Sequence, residues 1–126
     1  MQPKPNLKVN SGEVIAENVV IANGASLSSA FEMGGAKTMA VLWPAAWTAA
    51  VATFAGCLTS DGTFVPIYND RGEEATITSV TAATGTSLDY LCMVLAPWPY
   101  VKIRSGTSAA AVNQLAERTI SIICKG

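Results

Sequence analysis

Apolar residues in this chain recur at every second position in short runs, and turn-forming residues break the runs roughly every ten positions, a rhythm that predicts strands. The clearest run is Tyr100–Arg104, where Val101 and Ile103 share one face and Tyr100, Lys102 and Arg104 the other. Ile120, Ile122 and Cys124 likewise share a face near the C-terminal end. In "EVIAENVVIANG" the β-branched residues Val14, Ile15, Val19, Val20 and Ile21 favour strand over helix, and Asn23-Gly24 supplies the turn. Leu27 and Phe31 lie on a strand broken at Ser28-Ser29 and closed by Gly34-Gly35. Lys37–Trp43 is a buried-strand candidate that Pro44 ends, because proline has no N–H to give to a ladder. Trp47–Leu58 has no polar face, as expected of a central strand in a two-layer sandwich.

Two turn signals punctuate the middle of the chain. Asp61-Gly62 suits a type I′ hairpin, whose central positions both need positive φ. Pro66 marks an edge or a bulge in the returning strand. Arg71-Gly72 then turns into "EEATITSV", where Ala75, Ile77 and Ser79 alternate with Thr76, Thr78 and Val80. A further strand is expected through Tyr90, Cys92 and Val94. Ser108–Arg118 has helix-compatible Ala and Leu, yet its pattern favours an extended loop with at most one helical turn. The sum is an all-β antiparallel β-sandwich spanning 13–126, preceded by an extended N-terminal arm over 1–12. With Pro3 and Pro5, that arm is either a frayed tail or a segment that lies on a neighbouring molecule.

Composition narrows the function. Half of the 126 residues are hydrophobic and 13% are charged, eight Lys and Arg against nine Asp and Glu. That charged share is about half the usual one. Either much of the surface faces other protein, or Ala, Thr, Ser and Gly make a neutral exterior with no special partner. Clustered Lys and Arg are absent, so nucleic acid is not an expected partner. The apolar stretch Met39–Leu58 contains Pro44 and Gly56 and is mostly Ala and Thr, so no membrane partner is expected either. The first ten residues have no apolar secretion core. Cys57, Cys92 and Cys124 are far apart and fit reduced thiols.

Candidate chemistry is sparse. The chain has no histidine, so a Ser or Cys nucleophile lacks its usual base and zinc its usual fourth ligand. No S-x-x-K offers lysine instead, and neither Gly-rich phosphate motif occurs. Asp61 and Asp70 sit in turn signals, where aspartate is chosen for its local backbone bonds. No enzyme activity, metal or cofactor is expected. The aromatics Trp43, Trp47, Trp98, Phe64, Tyr68 and Tyr100 admit two readings. They form a stacking platform for sugar rings, or two of the tryptophans plug the ends of the sandwich.

Several motifs sharpen the picture. Pro44-Ala45-Ala46-Trp47-Thr48 leads to Ser60-Asp61-Gly62-Thr63, and Lys102-Ile103-Arg104-Ser105-Gly106-Thr107 leads to Val112-Asn113-Gln114 and Arg118-Thr119-Ile120. Over roughly Val41–Ile123 this order resembles a group of small tailed-bacteriophage virion proteins. Cys57 departs from that pattern, standing where Ser or Ala is usual. The resemblance implies a head-decoration (cement) or related structural protein, a sandwich of jelly-roll type, often trimeric on the capsid surface. The implied partners are the major capsid protein and further copies of the chain. On this reading the capsid or subunit contacts fall on Pro3, Pro5, Leu7, Trp98, Tyr100, Lys102 and Arg104. The alternative is a carbohydrate- or receptor-binding module of a phage tail or head fibre, using Trp98 and Tyr100; sugar is a partner only there.

Overall fold

β-Branched and aromatic residues at alternating positions build nine strands, and a computed structural model describes them over residues 13–126. In chain order these are β1 (Val14–Ile21), β2 (Phe31–Glu32), β3 (Thr38–Leu42), β4 (Ala52–Cys57), β5 (Val65–Pro66), β6 (Thr76–Ile77), β7 (Gly85–Leu88), β8 (Tyr100–Ser105) and β9 (Arg118–Lys125). A five-residue helix, α1 (Leu91–Leu95), lies between β7 and β8. One sheet runs β1-β9-β3-β7 and the other β2-β8-β4-β5, with β6 also on β4. The pairings are all antiparallel, so the molecule is all-β. The N-terminal arm, with Pro3, Pro5 and Leu7, lies outside the described residues.

The two sheets close on one core. Register places Val41 beside Ile122 in the first sheet and Phe54 beside Ile103 in the second, and all four are buried. Val19, Ile21, Phe31, Val101 and Ile120 extend the same cluster. In β8 the alternation expected from sequence holds: Val101 and Ile103 are buried, while Tyr100, Lys102 and Arg104 are half-buried on the outer face. Pro66 sits on the edge strand β5, where a missing N–H costs no ladder bond. Ser108–Arg118 forms no helix.

Four expectations need correction. The run Tyr90–Val94 is helix rather than strand: Cys92 and Leu95, three apart, and Leu91, four from Leu95, turn one face to the core and leave Met93 outside. A short apolar run fits either period, and here the preceding Gly85–Leu88 already supplies the strand. The expected long strand Trp47–Leu58 begins only at Ala52, because Trp47–Val51 turns aside to bond with another loop. "EEATITSV" contributes only the two-residue β6. Finally, neither Asp61 nor Gly62 adopts positive φ, so this is not a type I′ hairpin. The connection runs from Leu58 to Phe64, and Gly62 is needed for proximity: a β-carbon there would lie 2.6 Å from Cys57 Sγ.

Connections gather at the two ends of the sandwich. Beyond the Ala52 end of β4 lie the loops preceding β2, β4, β7 and β9, tied by backbone bonds such as Gly24 N–H to Gln114 O (2.8 Å) and Ala83 N–H to Pro44 O (2.8 Å). Beyond the Cys57 end lie α1 and Trp98, while the Asn69 turn projects from the sheet edge between β5 and β6 and faces them across a concavity.

Candidate functional site

At the Ala52 end the polar side chains are fully engaged with one another. Gln114 is completely buried, and its Oε1 accepts from Thr48 N–H (2.8 Å) and Arg118 Nε (3.0 Å). Its Nε2 donates to Thr48 O (3.0 Å) and Ser105 Oγ (2.7 Å). Thr48 Oγ1 in turn accepts from Leu115 N–H and Arg118 Nη2, both at 3.2 Å. Trp43 and Trp47 close the same end with rings 5.2 Å apart, and each indole N–H is bonded, to Thr86 Oγ1 and Ala50 O respectively. Gly106, at φ 88°, bends the chain where a β-carbon would strike the backbone of Ala110–Val112. Four of the five motifs that carried the resemblance (those of Thr48, Ser105-Gly106, Gln114 and Arg118) meet in this one network. They hold the fold.

The Cys57 end, together with the β5–β6 edge beside it, is open. Asn69 Oδ1 accepts from the N–H groups of Arg71 (2.9 Å) and Glu73 (3.0 Å), its Nδ2 donates to Glu73 Oε1 (2.9 Å), and Gly72 takes φ 77° to complete the turn. This hairpin is tied down at its base. Glu74 accepts from Ser108 N–H and meets Arg104 Nη1 at 3.5 Å, and Tyr68 OH lies 3.3 Å from Ser108 Oγ. Opposite the hairpin stands α1, followed by Pro97 and Trp98. The benzo edge of Trp98 rests on the bare backbone of Gly56: a β-carbon there would lie 2.5 Å from Cε3. Only glycine admits the ring at that distance.

Between hairpin and helix lies a concavity of about 670 Å³, lined by Tyr68, Asn69, Asp70, Arg71, Glu73, Tyr90, Met93, Val94, Pro97 and Trp98. Its volume falls within the roughly 300–1,000 Å³ of small-molecule sites. Tyr68, Tyr90 and Met93 are respectively 50%, 62% and 75% exposed, an apolar-aromatic wall facing water. Asp70, Arg71 and Glu73 form a charged rim of both signs.

Beside this end, Glu17 points inward from β1. One of its carboxyl oxygens is buried without a partner among the described residues. Burial first, and the charge of Glu32 second, push its carboxyl above the ordinary range. Burial, then the neighbouring Cys92 and Glu17, raise the Cys124 thiol to about 11, and burial raises Cys92 as well. These thiols stay protonated and unreactive at neutral pH. Among the described residues no group of three or more His, Cys, Asp or Glu is placed to hold a metal ion. No helix there is long and apolar enough to cross a membrane.

The contact residues expected from sequence are thus distributed. Trp98 belongs to the concavity; Tyr100, Lys102 and Arg104 lie on the outer face of the second sheet and do not line it. Lys102 sits 4.4 Å over the Phe64 ring, and Arg104 is held by Glu74 with 12% of its side chain exposed. Sequence reasoning passed over Tyr90 and Met93 as strand residues, Asp70 and Arg71 as ordinary turn residues and Glu73 as the solvated start of a strand. A tyrosine and a methionine on the outward side of a short helical spacing were the available signal.

No protein-family model matches the chain, and no curated protein matches it. Among solved structures it is similar to the SPBc2 prophage-derived protein YomS, with a TM-score of 0.48 and 14% identity over 94% of this chain and 98% of that one. That likeness is one of backbone outline.

Proposed function

We propose that this chain is a structural virion protein of the capsid decoration (cement) type, binding the outside of a phage head as a homotrimer and acting without catalysis. The observation that carries this reading is the surface. Leu42, Leu58, Val65 and Leu115, none of which lines the concavity, are all at least 44% exposed on a chain that is only 13% charged. Exposed apolar side chains on so weakly charged an exterior suit burial against other protein. The strand order supports a sandwich of jelly-roll type, since successive strands from β1 to β4 cross alternately between the sheets, an architecture used by viral capsid domains. The network at the Ala52 end adds support: the residues behind the virion resemblance stabilise a rigid body, as a clamp between coat subunits requires. Such a clamp binds the assembled shell and not its dissociated subunits, and so raises the free energy needed to rupture it.

Sedimentation with undecorated heads of the phage that carries it, together with the solution mass, tests the proposal. A trimer that co-sediments and raises the temperature of head rupture is expected. A monomer left in the supernatant overturns it. Deletion of residues 2–10 is expected to lower head occupancy without changing the unfolding midpoint of the domain; unchanged occupancy removes the arm from the contact.

A further inference from the structure

Whatever surface the protein sits on, the open end of the sandwich has the chemistry of a ligand site. We infer that the concavity between the Asn69 turn and α1 binds a neutral saccharide of two or three rings, with Trp98 as its stacking platform.

A sugar ring presents an apolar C–H face and an edge of hydroxyl groups that are both donors and acceptors. Its site therefore needs a fixed aromatic plane beside planar polar groups of both kinds. Trp98 supplies the plane. Its benzo edge is seated on Gly56, the residue lines the cavity, and its N–H has no bonding partner within the described residues, unlike those of Trp43 and Trp47. Tyr68 and Tyr90 provide further ring surface, and the Ser108 bond holds the Tyr68 phenol in place. On the rim, Arg71 offers donors while Asp70 and the second oxygen of Glu73 offer acceptors. Two carboxylates and one guanidinium leave no positive excess to attract a phosphate or sulfate, so the ligand is uncharged. The walls exist before any ligand arrives: the Asn69 side chain fixes the turn and Glu74 anchors its base. Preformed walls reduce the ordering cost of binding. A protein partner inserting a side chain into the same cavity is the competing occupant. It is less favoured because the rim is charged and exposed on all three of Asp70, Arg71 and Glu73, whereas the cores of protein interfaces are depleted in charge.

The full chain is titrated with neutral oligosaccharides chosen from a glycan array, and with malto-, cello- and chitotriose as soluble probes. Tryptophan fluorescence and ligand-observed NMR report binding. Saturable binding to at least one neutral glycan is expected. It should weaken at least tenfold in Trp98→Ala and severalfold in Tyr90→Ala, a variant at a 62%-exposed residue that spares the core. Binding should be unchanged in Tyr100→Ala, which lies outside the cavity. A silent array with no saturating soluble probe overturns the inference. So does binding that survives both Trp98→Ala and Tyr90→Ala. Loss of head attachment in Tyr90→Ala together with a silent array would reassign the cavity to a protein side chain.

Discussion

The two ends of the sandwich solve the same problem, closing a core beyond the last strand residues, in opposite ways. At the Ala52 end every polar atom of the buried Gln114 amide has a protein partner, and both tryptophans there have bonded indole nitrogens. At the Cys57 end a tryptophan whose N–H has no partner among the described residues rests on a glycine, beside exposed tyrosines and methionine. The first arrangement leaves nothing for a ligand to gain. The second leaves donors, ring faces and apolar surface in contact with water. Interior hydrogen bonds make a region rigid and chemically silent, whereas unmet bonding capacity on a fixed wall is what a partner can use.

The strongest way to break this contrast is Gln114→Ala. It strands the buried Ser105 Oγ and the part-buried Thr48 N–H, Thr48 O and Arg118 Nε around one cavity. Each orphaned group costs about 1–3 kcal/mol, and partial rehydration of the cavity returns some of that, so a loss of roughly 3 kcal/mol is expected. Urea unfolding measures it. A loss below about 1 kcal/mol would mean that the loops of this end are held by their backbone bonds alone.

Much of the closed end was legible in the sequence, and little of the open end was. Alternation in Tyr100–Arg104 and Arg118–Lys125 fixed which faces point inward, because a period of two is decisive when one face is buried. Thr48, Ser105, Gln114 and Arg118 each stand in a recognisable motif, but their meeting is a tertiary fact spread over seventy positions of chain. Tyr90–Leu95 was misread because six apolar or aromatic residues in a row satisfy helix and strand periods equally. With that helix unrecognised, Tyr90 and Met93 had no reason to face the Asn69 turn, and the concavity could not be anticipated. Gly56, in turn, looked like an ordinary small residue in an Ala-rich strand. Its role is set by a side chain forty-two positions away.

Gly56→Ala sharpens the comparison from the open side. The added methyl collides with Trp98 and with Ile67 Cδ1, 2.9 Å from where it would stand, so the indole must leave its seat. Overpacking of this kind costs about 1–3 kcal/mol, and a red-shifted tryptophan emission should accompany it. Gly72→Ala is the control: it has positive φ but open space, so it should cost about 1 kcal/mol without moving the emission. Equal spectra in the two variants would show that Trp98 is not held by Gly56.

Met93→Gln should change stability by no more than about 0.5 kcal/mol, since the side chain is 75% exposed on the rim of the cavity. Thermal unfolding reads this directly. A loss above 1.5 kcal/mol, well outside the roughly 0.5 kcal/mol expected of a surface position, would mean that the residue is packed and the end is closed after all.

The smallest effect, and the one most dependent on conditions, belongs to Glu17 beside the open end. Its ordinary carboxyl value of 4.5 is raised in the folded chain by burial and by the charge of Glu32, against a lowering from the Glu32 backbone N–H. In the pH range just above 4.5 the unfolded chain has already released this proton while the folded chain still holds it. The folded state then binds more protons, so its stability falls as pH rises through that range and recovers on acidification. Glu17→Gln keeps the shape and removes the charge, so it should stabilise the domain at pH 7 by a margin that shrinks as pH approaches 4. Unfolding midpoints for the two proteins between pH 4 and pH 7 would have to converge at the acid side. Parallel lines would show that the inward carboxyl of β1 is as well solvated as the rim of the concavity. The orphaned oxygen would then be a feature of one side-chain rotamer and not of the fold.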